Sequence, residues 1–105
     1  MIETTTDFVP GMKVAKILGV VRGNTIRSRG VGGHFIAGIQ GAFGGEITAY
    51  VVALNEARTE AYNRMLGDAV KLGADAVINI RFVTSEVMPG AAELLAYGTA
   101  VKLSK

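Results

Sequence analysis

The sequence predicts an α+β domain: a small antiparallel sheet with one long amphipathic helix packed on one face, plus a short glycine-flanked helix. Three observations point there. Apolar residues from Tyr50 to Leu72 step by three or four, the spacing of a single helix face. Two runs rich in Val, Ile, Leu and Phe, Ala76 to Met88 and Leu94 to Leu103, flank the turn pair Pro89–Gly90 in the pattern of a β-hairpin. Ahead of the helix, Lys13 to Ile26 carries apolar side chains at both parities, which reads as a strand with two greasy faces.

The elements follow in chain order. In the first strand Ala15, Ile17 and Val21 share one parity and Val14, Leu18 and Val20 the other, while Gly19 and Gly23 mark a bulge or bend. The segment Gly30 to Gly45 holds seven of the chain's 14 glycines, so its local stability is poor. Within it Phe35, Ile36, Ile39 and Phe43 recur at helical spacing and predict a short helix. Each interior glycine weakens such a helix by about 1 kcal/mol relative to alanine, so it needs packing to persist. The long helix runs from about Glu46 to Leu72, with Leu54, Ala57, Ala61, Met65 and Ala69 on its apolar side. Glu60 precedes Arg64 by four residues, the favoured order for a helical ion pair, and Gly73 stands where a C-cap glycine belongs. In the last strand Leu95, Tyr97, Thr99, Val101 and Leu103 alternate, placing Tyr97 on the predicted core face.

Size and composition exclude whole classes of function. At 105 residues the chain makes one domain, 1–105, with a thin core. Half the residues are apolar and 19% are charged, which excludes a disordered chain. The absence of cysteine removes disulfides, thiolate metal sites and cysteine nucleophiles, and a single histidine removes two-histidine catalysis. The N-terminus MIETTTDF lacks the order of a signal peptide, and no apolar stretch approaches the ~20 residues a membrane span needs, so a cytoplasmic protein is expected. The net charge of +2 hides an acid-free stretch from Phe8 to Gly45 that carries Lys13, Lys16, Arg22, Arg27 and Arg29.

Packing then predicts assembly. One helix covers one face of a small sheet, yet the first strand is apolar on both faces and Phe35 to Phe43 adds further apolar surface. At roughly 25 cal/mol per Å2 of apolar burial, leaving that surface wet would forfeit much of a marginal stability. A homo-oligomer, cyclic in form, covers it, with Phe35, Ile36, Ile39 and Phe43 as the expected seam. In the monomeric alternative the short helix folds back over the second face.

The stretches GVVRGNTI (Gly19 to Ile26), FIAGIQGAFGGEITAY (Phe35 to Tyr50), LGADAVINI (Leu72 to Ile80) and GTAVKL (Gly98 to Leu103) resemble the YbjQ family in order and spacing along nearly the whole chain. That resemblance implies a dodecin-like subunit, assembly into a homopentameric ring, and a heavy-metal-binding label.

The residues test that label and its competitors. Heavy metals favour thiolate or imidazole, and His34 is the lone candidate donor of that kind, which a ring would multiply around its axis. Anion binding would use Gly32 and Gly33 at a helix N-terminus with Arg27 and Arg29 upstream, although no complete phosphate-loop motif is present. Nucleic-acid binding would draw on Lys16 and Arg22, which share strand parity and would form one basic stripe. Stacking aromatics are limited there to Phe8 and Phe35, so nucleic acid is not the expected partner. No serine has a visible base partner, so neither catalysis nor a cofactor is expected. The leading expectation is a non-enzymatic ring-forming binding or scaffold protein, with a small anionic ligand between subunits.

Overall fold

The computed structural model describes residues 1–28, 45–89 and 91–105. Their order is β1 (Ile2–Glu3), β2 (Lys13–Ser28), α1 (Gly45–Lys71), β3 (Ala76–Met88) and β4 (Ala91–Ser104). The sheet order is β1-β3-β4-β2, with β2 and β3 both antiparallel to the central β4 and β1 parallel to β3. The expected antiparallel sheet is therefore a mixed one. The predicted short helix, with Phe35, Ile36, Ile39 and Phe43, lies outside the described residues.

The long helix forms where its periodicity places it, and its last turn closes on Gly73 at φ 76°. The Gly73 amide donates to the Val70 carbonyl and the Ala74 amide to the Ala69 carbonyl, the paired bonds that satisfy a helix C-terminus. Ala57, Ala61, Met65 and Ala69 are fully buried along one seam. Ala61, Met65 and Ala69 meet Val21, Ala96, Ala100, Val77 and Ile80 of the sheet, mostly small on small, so the helix axis lies close above β2 and β4. At Gly23 the approach is closest: a Cβ there would overlap the Ala61 carbonyl oxygen and the Met65 amide. Beside it the buried Thr25 hydroxyl donates to the Ala57 carbonyl at 3.2 Å, so no polar atom is stranded in the seam.

Of the two register shifts in β2, between Val14 and Lys16 and between Ile17 and Gly19, the second decides which residues face the helix. Gly19, at φ 144°, lies in a register shift between Ile17 and Gly19, and the extra residue reverses the parity of β2. Leu18 and Val21 therefore both join the helix-side core, while Ile17 and Val20 fall on the other face. In β4 the helix-covered set is Leu94, Ala96, Gly98 and Ala100, and the expected core set with Tyr97 belongs to the opposite face. In β4 the positions under the helix beyond Leu94 are small, and Leu95, Tyr97 and Leu103 lie on the far side.

The N-terminal segment wraps the β3 edge, a feature without a sequence expectation. The Ile2 amide donates to the Asp75 carbonyl, Thr4 to Val77, Asn79 to Thr6 and Ile80 to Thr4. Asn79, at φ 55°, sits in the register shift between Ile78 and Arg81 that makes room for this strap. Val9 then packs over Ala76, Ile78 and Val101 on the face away from the helix, closing one end of it.

Candidate functional site

The basic residues expected to act together are separated. Lys16 pairs across the ladder with Lys102 and Arg22 with Tyr97. Positions 97 and 102 of the regular β4 have opposite parity, so Lys16 stands on the helix side and Arg22 on the far side. The bulge breaks the predicted stripe. Arg27 faces the helix, and its guanidinium donates to Glu60 at 3.0 Å. Glu60 also accepts from Arg64, four residues on, and Arg64 donates in addition to the Asn24 carbonyl. The Arg27 hydrogen bond, with the charges of both arginines, holds the Glu60 carboxyl below its ordinary range. Arg27 is thus occupied by a protein carboxylate, and Arg29, Gly32, Gly33 and His34 lie outside the described residues.

The face of the sheet away from α1 carries a set of exposed apolar side chains. On it Val20 is 74% exposed, Ile17 68% and Ile26 55%, with Val83 of β3 also solvent-facing. Among the described residues only the Val9 strap packs on this face, at the Ala76 and Val101 end. Toward the other end the strands leave their apolar side chains open.

A second feature lies at the β3 edge. Tyr62 stacks on Phe82 with ring centroids 6.0 Å apart, and its hydroxyl donates to Glu3 in the strap. Burial, reinforced by the Glu3 charge, pushes the Tyr62 phenol up to about 12. Arg81 donates to the Thr5 carbonyl at 2.8 Å and the Ile80 carbonyl at 2.9 Å. Tyr62 and Arg81 therefore pin the strap to α1 and β3, a structural clasp rather than a reacting pair.

No group of three His, Asp or Glu side chains that could hold a metal occurs among the described residues. The helix α1 is not apolar enough to cross a membrane. Asp75 accepts from the Leu103 amide at 2.9 Å, a bond that holds its carboxyl below the ordinary carboxylate range, and pairs with Lys102.

Comparison with known proteins places this architecture. The YbjQ family, described as "Putative heavy-metal-binding", matches residues 1–104. A UPF0145 protein of Methanoculleus marisnigri is 59% identical over 98% of this chain and 96% of its own. One of Archaeoglobus fulgidus is also 59% identical, over 98% of this chain and 95% of its own, and one of Thermotoga maritima is 54% identical over 100% and 99%. In structure, the chain is similar to a DUF74-family protein of unknown function from Pediococcus pentosaceus. That likeness has a TM-score of 0.66 at 18% identity, covering 99% of this chain and 98% of the other, and it shows a shared fold. With its strands, helix and sequence matched from end to end, the chain belongs to the YbjQ family, whose curated relatives are called UPF0145 proteins.

Proposed function

We propose that the protein is a non-enzymatic, self-assembling binding protein whose copies close into a ring and hold a small anionic ligand between them. The observation that carries this reading is the open face of the sheet, where Ile17, Val20, Ile26 and Val83 stay in water while α1 buries its seam on the other side over β2 and β4. Exposed apolar patches of roughly several hundred Å2 on soluble chains mark contact surfaces. The shape agrees: the fold extends 55 × 24 × 18 Å with a radius of gyration of 17.0 Å, against about 13 Å for a compact chain of this length. A chain so drawn out buries too little alone and gains by stacking on copies of itself.

Light scattering on the protein at low micromolar concentration tests the reading. The expected mass is a small multiple of 11.0 kDa, five-fold if the ring follows the pentamer that the family resemblance implies. Val20→Asp, a charge in the middle of the open face, should dissociate it. A wild-type protein that runs as an 11.0 kDa monomer overturns the assembly.

A further inference from the structure

The open face carries more than apolar side chains. Ladder pairing sets Arg22 of β2 directly opposite Tyr97 of β4, and Tyr97 directly opposite Arg81 of β3. Directly opposed residues share a face, so one row across three strands reads Arg22–Tyr97–Arg81, a tyrosine position flanked by two arginine positions. The flanking rows are neutral: Val20, Thr99 and Ile78 on one side, Asn24, Leu95 and Val83 on the other. The acid nearest along β4 on this face is Glu93, one row further, and its carboxylate is engaged by the Asn24 amide at 3.0 Å.

Both cations lack a carboxylate partner among the described residues. Arg22 is exposed and donates to none of them, and Arg81 spends one nitrogen, Nη1, on two backbone carbonyls. If copies meet on this face, two guanidinium groups per chain enter the contact without a counter-charge, which is costly unless an anion comes with them. The Arg22 guanidinium presents a planar fork matched to the oxygens of carboxylate or phosphate, Arg81 adds the nitrogens it does not spend on the strap, and Tyr97 adds a hydroxyl donor on the same face. Leu95 and Val83 in the next row offer a flat apolar floor.

We propose that the Arg22–Tyr97–Arg81 row is an oxyanion-binding site, taking a phosphate or carboxylate group borne on a flat apolar body. It deepens the reading above by assigning the ligand to the open face, and it rests on that reading only for the ligand's position between copies. All three residues of the row belong to one chain.

Phenyl phosphate is the probe, titrated into the full-length protein by calorimetry, with light scattering on the same samples. Saturable binding is expected, weakened about tenfold or more in Arg22→Gln, the loss of a charge-assisted hydrogen bond, and more modestly in Tyr97→Phe. Arg58→Gln, on the helix, should bind as the wild type does. Sodium benzoate in place of phenyl phosphate tells carboxylate from phosphate, and either one lost in Arg22→Gln supports the row. An assembled protein that binds neither probe, or an Arg22→Gln variant that binds as wild type, overturns the site and leaves the ring standing. An 11.0 kDa monomer that still binds through Arg22 overturns the ring and leaves the site.

Discussion

Replacing Gly23 with alanine should lift the helix off the sheet. The new Cβ would sit 2.6 Å from the Arg64 Cβ and would overlap the Ala61 carbonyl oxygen and the Met65 amide, where ordinary contact begins near 3.4 Å. Two of those three atoms are helix backbone and cannot rotate away, so α1 must retreat by about 1 Å. A gap of that size forfeits a quarter to a half of the dispersion energy along the contact. Here the contact is the seam of Ala57, Ala61, Met65 and Ala69, all fully buried. The cost falls at the upper end for overpacking, about 3 kcal/mol. For a domain this size that lowers the melting temperature by about 12–24 °C. Urea denaturation followed by circular dichroism, at one fixed protein concentration because assembly couples stability to concentration, reads it. A loss below about 0.5 kcal/mol would refute the close helix approach.

Gly67→Ala is the natural contrast: Gly67 is an exposed helix residue with open space where its Cβ would go, so the change should stabilise by up to about 1 kcal/mol in the same denaturation assay. Acid should destabilise the fold, because Glu60 and Asp75 both have lowered folded-state values: their contribution is intact above the ordinary 4.5 and 3.8 and is lost as pH falls through the lowered ones. Asp75→Asn should flatten that acid limb of a stability-versus-pH curve. Tyr62 runs the other way: with its phenol raised to about 12 against an ordinary 10.0, stability present below pH 10 is lost as pH climbs toward 12. Ultraviolet titration should show the Tyr62 phenol ionising late, and Glu3→Gln should bring it earlier.

Much of the fold was legible because periodicity and punctuation survive folding. The helix was expected over Glu46 to Leu72 and spans Gly45–Lys71; the strand expected over Ala76 to Met88 has those ends. Facing was less legible. The reading that bulky apolar residues point to the helix fails in β4, where Ala96, Gly98 and Ala100 lie inward and Tyr97 outward, because a close-packed helix selects for smallness beneath it. Gly23, read as a bend, is a contact point, and only the opposed Ala57–Ala61 spacing on the helix could have hinted at that. The one-residue insertion at Leu18 is invisible to a period-two count that does not reset at Gly19, and it moved Arg22 away from Lys16. The strap and the row of Arg22, Tyr97 and Arg81 depend on strand registers, which no local pattern encodes. The candidates at Arg29, Gly32, Gly33 and His34 fall outside the described residues, and Arg27 is held by Glu60.

The sign of the open face bears on the family's heavy-metal description. Soft metals take thiolate or imidazole, and the chain has no cysteine and one histidine. Of the carboxylates, Glu60 is shared by two arginines and Asp75 is held by an amide and a lysine, so neither is free to recruit a cation. On the open face Arg22 and Arg81 lie one row apart from neutral neighbours, and Glu93, the acid nearest along β4, is held by the Asn24 amide. At about 7 Å in water, each guanidinium repels a divalent cation by roughly 1 kcal/mol, and an oxyanion of equal charge is attracted by the same amount. With two such groups abreast, the preference for anion over cation is roughly 4 kcal/mol before any contact forms, close to a thousandfold in local concentration. On the proposed reading the face selects by sign before it selects by shape, which makes phosphate a more informative first titrant than zinc.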